Sequence, residues 1–213
     1  MSFGVALACA LFCVTAVGTH VAAGPAALDQ TLYPLGFSES GDFAFVRFSY
    51  SDAAAHWQGV VVIQSLVTDR KKVQVDWTVG DLEGGDRAWL RWTSRHGQEL
   101  ESLLSRYKID RSRPCALAAF PLSVDGNDWT AAVAKGRVIV RSSVRGRKSI
   151  GTIPRHNVPN IPETYGHRVA GYYKSPFEER IAVIVTGWAP GWEGPPDTGM
   201  LWVFGSSLDS GFR

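Results

Sequence analysis

The sequence predicts a mainly β domain: antiparallel sheets in a sandwich-like arrangement, with one amphipathic helix packed on them. Three observations carry this. Short runs of β-branched and aromatic residues, separated by turn residues, recur along the chain. Only one segment, between Asp81 and Tyr107, repeats its apolar residues at three- and four-residue steps. A 45% hydrophobic and 20% charged composition belongs to a chain that folds around a core.

The elements follow in order. Leu35 to Asp42 is a polar turn opening a strand, in which Phe43, Phe45 and Arg47 alternate with Ala44, Val46 and Phe48. That run suits a strand buried on both faces. Trp57 to Val67 is a second strand, and Val73, Val75 and Trp77 mark a third, so the three make an antiparallel meander. In the helical segment Trp89, Trp92, His96, Leu100, Leu103, Leu104 and Tyr107 form one stripe. Asp86 suits its start and Arg106 and Lys108 its end, while Gly97 is a point at which it could break in two. Strands resume at Ala116 to Val124, Trp129 to Ala134 and Arg137 to Val144, joined by hairpin signals at Asp125-Gly126-Asn127 and Lys135-Gly136. In the last of these, Val138 and Val140 point one way, and Arg137, Ile139 and Arg141 the other. Arg155 to Gly166, with Pro159 and Pro162, reads as a surface loop. Arg168 to Tyr173, Arg180 to Thr186 and Met200 to Phe204 are the closing strands, with a Gly/Pro/Trp loop before the last and a frayed tail from Gly205. An alternative architecture is a partial β-propeller, since Gly36-Phe37-Ser38 with Gly41 looks like a blade opening, but no repeat of it follows.

Met1 to Ala23 carries no charged side chain, and Val5 to Val17 is apolar but for Thr15. This reads as a secretory signal peptide with cleavage after Ala23, because Val21 and Ala23 are small enough for the −3 and −1 positions. The run falls short of the roughly 20 apolar residues that span a bilayer. Lipidation at Cys9 is disfavoured, because it would leave only a few apolar residues before it. The expected mature product is a single domain, Gly24 to Arg213, secreted or periplasmic, with no transmembrane segment. Of three cysteines only Cys115 would remain, which excludes an internal disulfide and any multi-cysteine zinc site. The net charge of +2 selects no partner, and export makes nucleic acid an improbable one.

Gly36 to Phe45 resembles the opening of a bacterial family called predicted secreted protein, a domain of unknown function. The central helix and Gly191-Trp192-Glu193-Gly194-Pro195 resemble the same family, whereas Ser51 to His56 departs from its Gly/Asp-rich connector. The resemblance implies export and no established activity, and it supplies no catalytic residues.

No Gly-x-Ser-x-Gly occurs, and His56, His96, His156 and His167 show no metal-ligand spacing. No catalytic residue, metal site or cofactor is therefore expected. Asp76, Asp81, Glu83 and Asp86 fit helix capping better than calcium binding, and Asp125, Asn127 and Asp128 fit a hairpin. An unrecognised hydrolase remains the alternative, assembled in space from His156, His167, Glu193 and nearby serines. Two features carry functional weight. Lys135, Arg137, Arg141, Arg145, Arg147, Lys148 and Arg155 form a basic run without an acidic residue, suited to an anionic envelope component. Such a run also protects an edge strand. Trp188, Trp192 and Glu193, set among glycines and prolines, could stack on and hydrogen-bond to an envelope polysaccharide, or simply close the end of the core. The functional expectation is a non-catalytic binding or structural protein of the cell envelope.

Overall fold

The computed structural model describes residues 30–51, 56–80, 85–113, 115–154, 163–190 and 197–213. Eleven strands form among these residues, most of them from the apolar runs. Sheet I is an antiparallel meander of β1 (Gln30–Phe37), β2 (Asp42–Ser51), β3 (His56–Ser65) and β4 (Lys71–Gly80). Helix α1 (Gly85–Arg106) follows. Sheet II is a second meander of β5 (Leu122–Val124), β6 (Asn127–Ala134), β7 (Arg137–Ser142) and β8 (Gly146–Thr152). Sheet III holds β9 (Tyr165–Lys174), β10 (Arg180–Ala189) and β11 (Thr198–Ser207), with β10 central.

Side-chain alternation decides how these layers stack. From β2, Ala44, Val46 and Phe48 face α1, whereas Phe43 and Phe45 face sheet III. From β10, Ala182 and Ile184 meet sheet I, whereas Ile181, Val183 and Val185 meet sheet II. The order is therefore α1, sheet I, sheet III, sheet II, with three successive cores and both inner sheets buried on two faces. The stack is open, because Arg91 and Arg95 on α1 and Arg137 and Arg141 on sheet II face solvent at its two ends. This is the mainly β sandwich-like arrangement with one packed helix, and not a closed ring of blades.

The helix runs unbroken through Gly97. Ala88, Trp92, Leu100 and Leu104 are buried against sheet I, while Trp89, Leu103 and Tyr107 are half-buried at the sides of the stripe. Trp92 packs directly against Gly59 of β3, which leaves room for it. A Cβ there would lie 2.4 Å from the indole Nε1. That nitrogen donates to the Trp77 carbonyl at 3.0 Å. The β5–β6 and β6–β7 hairpins turn through Asp125-Gly126 and Lys135-Gly136, all four residues at positive φ, the left-handed pair that a tight hairpin needs.

Four features differ from the sequence reading. β1 precedes the first expected strand; it is an edge strand and so tolerates Pro34. Ala116 to Ala119 makes no strand beyond an isolated bridge from Ala118 to Tyr172, and the ladder begins only after Pro121, which has no N–H to donate. β8 is an additional strand whose polar sequence hides its alternation. The tail is not frayed. β11 continues to Ser207, Leu208 is buried, and Arg213 and Arg147 exchange two main-chain hydrogen bonds of 3.1 Å.

Candidate anion-binding face

Val138 and Val140 are fully buried, so the pleat of β7 turns Arg137, Ile139 and Arg141 to the outer face of sheet II. On β8, Arg147 stands directly opposite Arg141 in the register. Like charges at directly opposed positions of an antiparallel pair repel. Among the described residues no carboxylate pairs with Arg137, Arg141 or Arg147. Beside them lies a broad depression of about 860 Å³. Lys135, Arg137, Arg147, Lys148 and Arg213 supply its charge, Ser149 a hydroxyl and Ile139 an apolar floor, and no Asp or Glu lines it. An anion with several charges along its length fits this face, because each added contact relieves repulsion already present.

Lys148, besides lining the depression, and Arg145 both hold the C-terminal segment. Lys148 pairs with Val140, on the inner side of β8. Its Nζ donates to the carbonyls of Ser207 and Ser210, and it lies 4.3 Å from the centre of the Phe212 ring. Burial first, and then the charge of Arg180, push this ammonium down to about 8, with Asp209 acting the other way. Arg145 donates to the Asp209 carbonyl at 2.7 Å and pairs with its carboxylate at 3.7 Å. Both residues hold the tail, and so bring Arg213 into the basic depression. A tail expected to fray places no side chain on this face, so the contribution of Arg213 comes from the docking alone. Its only sequence signal is a basic residue next to Phe212, which packs on Trp129 at 5.0 Å.

The aromatic candidate is divided. Trp188 belongs to β10 rather than to a loop, paired with Gly199 on one side and Tyr165 on the other. It is half-buried, with its ring over Gly166. Trp192 and Glu193 lie outside the described residues, as do His156 and Arg155.

The hydrolase alternative finds only one of its named residues in the described structure. His167 is 2.8 Å from Thr164 Oγ1 and edge-on to Trp202, and burial lowers its pKa. Asp197 accepts instead from the Tyr165 hydroxyl, which raises that phenol's pKa. His96 stacks on Trp77 at 5.1 Å, a packing role. Asp128 accepts from Ser123 at 2.5 Å, and Asn127 accepts from Ser142 and Ser143, so these hairpin residues are spent on the turn. Among the described residues no three His, Cys, Asp or Glu side chains converge, and no helix is long and apolar enough to cross a membrane.

No protein-family model, curated protein or solved structure matches the chain.

Proposed function

We propose that this is a secreted or periplasmic, non-catalytic binding protein of the cell envelope, and that the outer face of sheet II takes an anionic envelope polymer. The observation that carries the reading is the opposed pair Arg141 and Arg147, continued by Arg137, Lys135 and Arg213, without an Asp or Glu side chain among them. Edge protection alone needs charge on β8, the edge strand. It does not need arginines on β7, which lies inside the sheet. The uncharged apolar run before Gly24 supports export, as does the resemblance of Gly36 to Phe45 to the secreted family.

The test is binding of the mature protein to polygalacturonate, an acidic polysaccharide, with dextran as the neutral control. Each cation at a polyanionic surface contributes about 1 kcal/mol, so the R137Q/R141Q/R147Q variant should bind roughly a hundredfold more weakly. Its folding should be intact because all three side chains are exposed. Added salt should weaken the parent's binding steeply. Equal binding to dextran, or an unaffected triple variant, would refute the site. N-terminal sequencing of exported protein should begin at Gly24, and a chain still carrying Met1 would refute the localisation.

A further inference from the structure

The inward positions of β2 run Phe43, Phe45, Arg47, and the third is an arginine at a place where its register partners, Leu32 and Val60, are both buried. The Arg47 guanidinium is half-buried, with no hydrogen-bond or ion-pair partner among the described residues. Asp76, two strands away, reaches it only through space. Five donors held part-way out of water without an acceptor are an unusual expense in a sandwich interior.

Arg47 lines a cleft of about 220 Å³ between sheet I and the outer edge of β11. Phe45, Val62 and Leu201, all buried residues, make its apolar base, and Trp202 and Pro154 stand at its side. Lys71 is a second cation at the opening, and its Nζ donates to Gln74 at 3.0 Å. Burial lowers the pKa of both cations, and the positive charge of Arg47 lowers that of Lys71 further, with the charge of Asp76, outside the lining, acting the other way on both. The one carboxylate in the lining does not compensate them. Asp69 accepts from the Gly205 amide at 2.6 Å and faces Gln64, whose Nε2 donates to the Val203 carbonyl at 3.0 Å. Those two side chains satisfy the free edge of β11, so the carboxylate is already engaged.

A guanidinium without a partner among the described residues, beside a second cation, calls for a planar anion, because the two parallel donors of Arg match a carboxylate. An apolar base with an indole beside it calls for a flat, apolar body attached to that anion. The volume lies below the range of about 300–1,000 Å³ typical of larger ligands, which selects a compact molecule. We infer that this cleft binds a small aromatic carboxylate, with its charge on Arg47 and Lys71 and its ring between Phe45 and Trp202. The inference is independent of the polymer-binding face, because the cleft and the basic depression share no lining residue.

Isothermal titration with phenylacetate and benzoate tests it, with acetate and benzyl alcohol supplying the charge and the ring separately. Saturable binding of at least one aromatic acid is expected, tighter by about tenfold or more than either partial ligand. R47Q should weaken it by about tenfold. K71Q alters an exposed side chain that leaves the core untouched, and should weaken it in the same direction. The R137Q/R141Q/R147Q variant should keep its full affinity for the aromatic acid, so failure of one site is separable from failure of the other. Absence of saturable binding by both acids at millimolar concentration overturns the inference. So does acetate binding as tightly as phenylacetate, or unchanged affinity in both R47Q and K71Q.

Discussion

Gly59→Ala is a one-carbon change whose effect follows directly from the α1–sheet I contact. The new Cβ would lie 2.4 Å from both Cε2 and Nε1 of Trp92, so the indole must shift by about an ångström to restore ordinary contact. Trp92 has little room to give. It is fully buried, packs parallel to Trp89 at 5.2 Å and against Trp77 at 5.7 Å, and its N–H is held by the Trp77 carbonyl. Overpacking costs about 1–3 kcal/mol. Distorting the buried hydrogen bond costs about 1–3 kcal/mol more. Removing a strand glycine returns about 0.5–1 kcal/mol. The net expectation is a loss of about 3 kcal/mol, within a range of about 1–5. Urea unfolding of the parent, G59A, W92L and G59A/W92L forms the cycle that isolates the clash. With the smaller Leu at position 92, G59A should cost less than about 1 kcal/mol, so the coupling should exceed about 1 kcal/mol. Gly97→Ala is the internal control: a Cβ there meets nothing within 4 Å, and the helix should gain about 0.5–1 kcal/mol. A G59A loss below about 0.5 kcal/mol, or the same loss with and without Trp92, would refute the reasoning.

Two further outcomes follow from the same core. Leu104→Ala should destabilise by about 2–5 kcal/mol, Leu103→Ala distinctly less because that side chain is half-buried, and exposed Gln98→Ala by no more than about 0.5 kcal/mol. Equal losses at 103 and 104 in urea would show that the stripe is centred elsewhere. Tyr33 stacks face to face on Trp89 at 3.7 Å, and burial first, then the charge of Asp86, push its phenol from 10.0 up to about 12. Above pH 10 the unfolded chain sheds a proton that the folded chain keeps, so Tyr33 makes stability fall as pH rises toward 12. Tyr33→Phe should therefore flatten the alkaline decline of the urea midpoint while keeping the ring stack, and parallel pH curves for the two proteins would contradict the assignment.

Much of this was legible because it is local. The spacing of Ala88, Trp92, Leu100 and Leu104, in steps of four and eight, places them on one helical face whatever that face meets. Asp125-Gly126 and Lys135-Gly136 specify tight hairpins through their own backbone preferences. The alternation of Val138 and Val140 with Arg137 and Arg141 separates a core face from a charged face before any partner is known. β8 escaped notice because Gly146-Arg147-Lys148-Ser149 has no apolar alternation, and its strand geometry comes from pairing with β7. Trp188 sat among glycines and prolines and suggested a loop, yet Gly199 and Tyr165 draw it into a three-stranded ladder.

The amino-acid sequence by itself determined the periods and the turns: a mainly β chain, one amphipathic helix, and arginines outward on β7. These depend on interactions between residues a few positions apart, and the chain carries them into any fold it adopts. Tertiary structure alone decided the order of the layers, the docking of the tail by Lys148 and Arg145, and the half-burial of Arg47 without a partner among the described residues. Each of those depends on which surfaces meet across long separations in sequence. Residues such as Arg145 and Asp209, or Gln64 and Val203, come together only because burying the faces of sheets I, II and III against one another leaves the chain few other arrangements.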